Sequence, residues 1–392
     1  MTNATFLNGL FLLACATTLA SAAYVMLAIW RVIRFRPARS AVRVVARPVT
    51  VLKPVCGLDA NLDDNLRSFC RQDYPAYQVV FGVRDADDPA IPLIERLIAD
   101  FPDRDLALVV DPRVIGPNLK VSNLANMMAA AKHDLLVMAD SDMRVTPGYL
   151  SNVAAPFADD KVGVVTCLYS ATPAGGLPSL LGSMFINEGF LPSVLVSAGF
   201  ADITYGLGAS IALRRDLLER IGGFDALAHH LADDHMVGKF ICAQGYRVVL
   251  SDYVVENIVH EKSLRALFRH ELRWSQTVRA CEPLGHAFSF LMYGVPLAFF
   301  AALMVDVTYD WDWFEAILIG AAVALRLWMH FAVRRRLGLA VDKGAFWLVP
   351  LRDVLSFLVW SASFFGRKID WKDATFTVSP DGLMASVERQ ET

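Results

Sequence analysis

The chain has 392 residues, a length for two or three domains. Its 55% apolar and 20% charged residues compare with about 45–50% and about 25% in ordinary globular chains. That excludes disorder and an ordinary soluble enzyme, yet falls short of a protein built wholly from spanning helices. Lys and Arg number 37 and Asp and Glu 40, a net charge of −3, which gives no bulk attraction to nucleic acid.

The apolar excess is local. Phe6 to Trp30 carries no charge over 25 residues, and Arg31, Arg34, Arg36 and Arg39 follow at once. Roughly 20 apolar residues span a bilayer, so this is a transmembrane anchor with its basic end in the cytoplasm. A cleaved signal peptide fits less well, because the positive charge follows the apolar run. The six cysteines (Cys15, Cys56, Cys70, Cys167, Cys242 and Cys281) form no C-x-x-C pair and match no zinc spacing, as expected of scattered thiols in a reducing compartment.

From Pro48 to Val165 short β-branched runs alternate with amphipathic helical patterns. Strands are expected at Val49–Leu52, Gln78–Val83, Leu106–Val110, Leu135–Ala139 and Val162–Leu168. Helices are expected at Leu58–Cys70, Pro89–Asp100 and Val121–Ala131. This order predicts a mostly parallel sheet covered on both faces, which binds ligands beyond the carboxyl ends of its strands. No G-x-G-x-x-G or G-x-x-x-x-G-K-[ST] is present, so a dinucleotide or P-loop reading loses its support. Acidic residues stand at the strand ends instead: Asp85 in Arg84-Asp85-Ala86-Asp87-Asp88, and Asp140 and Asp142 in Asp140-Ser141-Asp142. Two carboxylates on such a turn suit a hard divalent ion, Mg2+ or Mn2+, that also bridges to substrate phosphates, although surface turns often carry the same three residues.

Leu177–Phe200 is apolar but broken by Pro178, Asn187, Glu188, Gly189 and Pro192, and reads as an amphipathic piece in the membrane interface. His229, His230 and His235 fit no metal-ligand spacing well. Leu284–Val307 and Phe314–Val333 read as two spans around an acidic and aromatic loop (Asp306, Asp310, Trp311, Asp312, Trp313), closed by Arg334, Arg335 and Arg336. Phe346–Phe365 is a weaker third, interrupted by Pro350, Arg352 and Asp353, whose charges must face protein or a cavity. Strict alternation puts the C-terminus outside, while Arg367, Lys368 and Lys372 argue for inside. The expected organisation is an anchor and basic linker (1–46), a cytosolic catalytic domain (47–281) and a C-terminal membrane region (282–392).

Several motifs in order carry a resemblance: Val51-Leu52-Lys53-Pro54-Val55-Cys56-Gly57, Asp73-Tyr74-Pro75, Asp85-Ala86-Asp87-Asp88-Pro89-Ala90, Lys120-Val121-Ser122-Asn123-Leu124, Asp140-Ser141-Asp142-Met143-Arg144-Val145, Ala232-Asp233-Asp234 and His270-Glu271-Leu272-Arg273-Trp274. Together they make the sequence resemble the ceramide glucosyltransferase family, nearest its bacterial members associated with hopanoid biosynthesis. The resemblance implies an α/β fold of the GT-A (Rossmann-like) type with N- and C-terminal transmembrane helices, in the bacterial inner membrane. It implies inverting transfer of glucose or N-acetylglucosamine from a UDP-sugar to the hydroxyl of a membrane lipid, ceramide or hopanoid. It assigns Asp85, Lys120, Asp140, Arg273 and Trp274 to the nucleotide-sugar, Asp140 and Asp142 to Mg2+ or Mn2+, and Asp234 to the general base, with Asp233 its rival. His270 stands where many members carry Gln or Arg, which leaves its phosphate-facing role open. A processive polysaccharide synthase and a non-catalytic membrane scaffold are the competing readings.

Overall fold

The computed structural model describes residues 3–38, 47–309, 312–340, 345–366, 368–371, 374–379 and 382–386. Arg39, Asp310, Trp311, Arg367 and Lys372 lie outside the described residues. The chain forms two compact units that interleave in sequence: 1–36, 177–200 and 261–366 in one, and 37–176, 201–260 and 367–392 in the other. The expected boundaries at 47 and 281 enclose one continuous domain, whereas here 177–200 and 261–281 group with the helices.

The second unit is built on an eight-stranded sheet. Its strands are β1 (Val49–Val55), β2 (Tyr77–Val83), β3 (Asp105–Val110), β4 (Leu135–Ala139), β5 (Met143–Arg144), β6 (Val162–Pro173), β7 (Ser210–Arg214) and β8 (Arg247–Val259), in the order β3-β2-β1-β4-β7-β6-β8-β5. From β3 to β4 all neighbours are parallel. Beyond β4 the sheet is mixed, because β7 runs antiparallel to both β4 and β6 while β6 and β8 pair in parallel. The mostly parallel sheet expected from the early βα alternation thus holds from β3 to β4 and again between β6 and β8, with β7 and β5 antiparallel to their neighbours. The βα alternation ends near Leu168, and β7 is reached through the 177–200 segment rather than through a crossover helix on the sheet.

Strand alternation sorts the two faces. Val49, Val51, Val79, Phe81, Leu135 and Val137 join one core with Leu66, Phe69, Ile94 and Leu97 from helices Leu62–Cys70 and Ile91–Asp100. Helix Leu119–Met127 covers the other face, where a Cβ on Gly82 would lie 2.3 Å from Met127 Sδ. Phe69 is fully buried and meets Tyr149 edge-on with ring centroids 5.5 Å apart, so truncating it to Ala should cost about 3–5 kcal/mol. A three-stranded sheet (Lys368–Trp371, Ala374–Val378 and Met384–Ser386) belongs to the same unit. Its last strand region docks beside 229–231: Leu231 N donates to Gly382 O at 3.1 Å and Met384 N to His229 O at 2.8 Å. Leu231, Phe376 and Met384 form a small apolar cluster there.

Among the described residues, the helical unit holds three helical runs long and apolar enough to cross a membrane: Phe6–Arg34, Leu177–Ser197 and Trp313–Leu337. The first and third are only 17% and 28% buried, as lipid-facing helices must be, but Leu177–Ser197 is 72% buried in protein. The interfacial piece expected at Leu177–Phe200 is therefore a mostly enclosed helical run, with a π turn at Ile186–Phe190 where Asn187 and Glu188 turn inward. Leu284–Val307, expected as one span, is a pair of helical pieces, Pro283–Met292 and Gly294–Val307, bent by 69°. Helix Val349–Ser363 has 15 residues, short of the roughly 20 that cross a bilayer. Its two charges face protein: Arg352 forks onto Glu271 at 2.9 and 2.7 Å, and Asp353 pairs with Arg326 at 2.9 Å. Glu188 pairs with His330. Charges placed in membrane segments are tolerated in such pairs.

Candidate active site

Because β1, β2 and β4 run parallel, their carboxyl ends share one edge of the sheet, and acidic residues gather along it. Asp85 follows β2 and is held by its neighbour Arg84 through bonds of 2.9 and 2.8 Å. Asp88 builds the loop rather than facing a ligand. Its carboxylate accepts from Gly57 N at 2.9 Å and from Ala90 N at 2.8 Å, tying the loop after β1 to the start of the next helix. Gly57 has φ +75°, a left-handed conformation that glycine takes without strain.

Leu135–Ala139 is an unbroken apolar strand, and the chain turns at its end into Asp140-Ser141-Asp142. Three hydrogen bonds set this turn. Lys53, fully buried on β1, donates to the Asp140 carbonyl and lies 3.9 Å from the centroid of the Phe69 ring. Asn257 on β8 donates to Asp142 Oδ2 at 2.9 Å, and Ile258 N donates to the Asp142 carbonyl at 2.9 Å. Ser141 Oγ donates to Asp59 at 2.8 Å. Lys120 reaches the turn from the opposite face of the sheet, with Nζ 2.6 Å from Asp140 Oδ1.

Asp233 and Asp234 open helix Asp233–Ala243, where carboxylates favour the positive end of the helix dipole. Asp234 Oδ1 accepts from His235 N at 2.8 Å, and Gly208 N–H also donates to its carboxylate. The Gly206-Leu207-Gly208 loop packs directly on it. A Cβ on Gly208 would stand 3.0 Å from Asp234 Oδ2 and 3.8 Å from Asp140 Oδ2, so one small residue separates the two carboxylates. Gly206 N donates to the Asp234 carbonyl at 3.1 Å. Asp233 accepts from Asn118 Nδ2 at 3.1 Å.

The charges are strongly coupled to their surroundings. Burial pushes Asp142 up to about 6, with the Asp140 charge adding to it. Burial likewise raises Asp233 to about 6, opposed by Lys120 and reinforced by Asp234. Asp234 is raised by burial, with Lys120 and the His235 N–H opposing. Burial alone would lower Lys120, but Asp140, Asp233 and the Asp140 hydrogen bond outweigh it and hold its ammonium above the usual lysine range. Lys53 is pushed by burial down to about 7, against the pull of Asp140 and Asp142. Tyr169 on β6 is held above the usual tyrosine range by burial and then by the charges of Asp234, Asp142 and Asp140, so it belongs to the same neighbourhood. Motif reading did not single out Lys53, Asn118, Tyr169, Gly206, Gly208 or Asn257 as site residues. Only Lys53 sits inside a motif quoted for the resemblance, where nothing marked its side chain as buried.

Divalent-metal chemistry fits these residues in part. Among the described residues no group of three or more His, Cys, Asp or Glu converges on one point. Yet Asp142 Oδ1 is a buried carboxylate oxygen with no hydrogen-bond partner, one turn residue from Asp140. Such a pair suits Mg2+ or Mn2+, which keeps waters and takes further oxygens from phosphates.

His270, Arg273 and Trp274 lie on helix Leu264–Cys281 of the helical unit. His270 Nδ1 pairs with Glu261 at 2.7 Å, and its ring meets Trp274 edge-on at 4.3 Å. Trp274 stacks on Phe185 at 6.1 Å. What the resemblance implies for Arg273 and Trp274 rests on their sequence motif.

The family model described as glycosyl transferase family 21 matches residues 13–384. Ceramide glucosyltransferase 1 of Caenorhabditis elegans is 24% identical over 227 residues, 58% of this chain and 48% of its own. The ceramide glucosyltransferase of Komagataella phaffii is 36% identical over 107 residues, 26% of this chain and 21% of its own. The chain thus spans about half or less of the length of these curated relatives. Among solved structures, a mannosyltransferase from Pyrobaculum calidifontis in complex with GDP-Man and Mn2+ superposes with a TM-score of 0.57 at 22% identity, covering 91% of this chain and 99% of that one, a likeness of fold.

Proposed function

Since the chain belongs to glycosyl transferase family 21, we propose that it transfers glucose or N-acetylglucosamine from a UDP-sugar to a hydroxyl of a membrane lipid, ceramide or a hopanoid polyol, with inversion. The observation that carries this reading is that Asp140 and Asp234 both stand beside Gly208 at the carboxyl edge of the sheet, with Lys120 paired to Asp140.

The reaction needs a held donor, a stabilised diphosphate and a deprotonated acceptor. Asp234 is the base: an ionised carboxylate that takes the proton of the acceptor hydroxyl as it attacks the anomeric carbon. Its two backbone donors, His235 N–H and Gly208 N–H, aim it. Lys120 supplies fixed positive charge between the base and the acidic turn, and Asp85 stands on the same edge for the uridine. Asp140 and Asp142 would hold Mg2+ or Mn2+, which when bound offsets the charge of the departing diphosphate.

The acceptor comes from the membrane. The N-terminal helix is read as crossing once, and Arg31, Arg34 and Arg36 at its end support a catalytic unit on the cytoplasmic side. A compact domain occupies one side of a bilayer, so segments that leave and rejoin it cross an even number of times. Residues 177–200 leave and rejoin the catalytic unit and, being mostly enclosed in protein, are read as making no net crossing. Residues 261–366 also leave and rejoin it, crossing twice through the bent pair and Trp313–Leu337, with the 15-residue helix Val349–Ser363 re-entrant or interfacial. The C-terminus then lies in the cytoplasm.

The test is the purified protein in detergent or nanodiscs with each UDP-sugar against each lipid, read by mass spectrometry. A lipid gaining one hexose or one N-acetylhexosamine is expected. A long polymer would favour the synthase reading, and no product from any pair would sink the proposal.

A further inference from the structure

The loop that ends at Asn118, just before the helix bearing Lys120, and the segment that leads into Asp233 and Asp234 meet through one side chain. Asn118 is fully buried, and each of its polar atoms is used. Its Oδ1 caps helix Leu119–Met127 by accepting from Val121 N at 3.1 Å. Its Nδ2 donates both to His230 O at 3.0 Å and to Asp233 Oδ1 at 3.1 Å. Its backbone N donates to Ala228 O at 3.0 Å. The two segments approach closely here, since a Cβ on Gly116 would stand 2.7 Å from Ala228 O.

We propose that Asn118 is a positioning residue for transfer: it locks the first turn carrying Lys120 to the entry of the acid-bearing helix, and so sets where the Asp234 carboxylate stands relative to Lys120 and Asp140. This rests on Asp234 being the base. The C-terminal strand holds the other side of the same segment through Leu231 and His229, which fixes its backbone. The side-chain bond to Asp233 comes from Asn118. A capping residue alone needs only an acceptor; the two bonds from Nδ2 are what a serine or aspartate cannot reproduce.

Asn118→Ser keeps a good cap but is too short to reach Asp233, and Asn118→Asp keeps the length but removes the donor. Both variants should lose about 10- to 100-fold in kcat, with the donor KM within about 3-fold of the parent, and Asn118→Ser should melt near the parent temperature. Amide hydrogen exchange at 233–235 should quicken in both. Parent-like kcat, or a change confined to the donor KM, would overturn the inference. Unchanged exchange at 233–235 would overturn it too, and that readout stands even if the parent protein transfers no sugar, an outcome that sinks the functional reading instead.

Discussion

Lys120 Nζ lies 2.6 Å from Asp140 Oδ1, joining the first turn of a helix on one face of the sheet to the turn that ends β4. The side chains remain 24% and 32% exposed, so solvent screens the pair and its loss should cost stability on the order of 1 kcal/mol or less. Its cost to function should be larger, because Lys120 also faces Asp233 and Asp234. Lys120→Met should raise the UDP-sugar KM at least about 10-fold, with Lys120→Arg keeping part of the loss back. Steady-state kinetics on both variants check this, and a parent-like KM in Lys120→Met would remove Lys120 from the donor site.

Asp234→Asn should abolish transfer, a loss of about 10²-fold or more, while UDP-sugar binding measured by calorimetry survives. The amide keeps the shape and can still accept from His235 N–H, but it cannot take a proton. Normal turnover in this variant would eliminate Asp234 as the base.

The two glycines beside Asp234 should separate fold from chemistry. A Cβ on Gly206 would fall 2.7 Å from the Asp234 carbonyl oxygen, which is backbone and cannot give, so Gly206→Ala should lower the melting temperature. A Cβ on Gly208 would fall 3.0 Å from the Asp234 carboxylate itself. Gly208→Ala should therefore shift that side chain and cut kcat about 10-fold or more with a small change in melting. Equal effects of the two variants on kcat and melting would contradict this placement.

The buried carboxylates make activity and stability respond oppositely to pH. Asp142 and Asp233 are held up to about 6, above the unfolded carboxylate value. Their favourable contribution to stability is therefore complete below the unfolded value and is lost as pH rises through about 6. The kcat/KM profile should fall on the acid side, where these carboxylates and Asp234 take up protons, and Asp142→Asn should melt higher than the metal-free parent at pH 7.5 while losing activity. That gain should shrink as pH falls through about 6, when the parent carboxylate takes up its proton. Thermal melts in the presence of a chelator and rate profiles across pH 5 to 8 measure both, and an Asp142→Asn variant no more stable than the metal-free parent at pH 7.5 would refute the raised carboxylate.

A tag fused after Thr392 should be protected from added protease in intact spheroplasts and cut after permeabilisation, whereas an N-terminal tag should be cut in both. Cleavage of the C-terminal tag in intact spheroplasts would mean an odd number of crossings after Glu261, against the docking of Gly382 and Met384 on the catalytic unit.

Much of this architecture is written locally. The strand Leu135–Ala139, its acidic ending, the apolar run at Phe6–Trp30 and the order of the motifs depend on residue types a few positions apart, so period and charge alone determined the early βα alternation, its acidic edge and the N-terminal apolar helix. Two cases show where local pattern stops. Arg352 and Asp353 stood out in the sequence as costly charges, but their partners Glu271 and Arg326 lie on other helices. Asn118 lies outside every motif that the sequence offered, and its bond to Asp233 spans 115 positions. The sheet turned mixed after β4 for the same reason, since β7 reaches β4 only after the 177–200 excursion. Tertiary structure alone decided which carboxylates share space with Lys120, which lost their solvent, and how close Gly208 lets Asp140 and Asp234 come, because burial and the pairing of charges are properties of distant segments brought together.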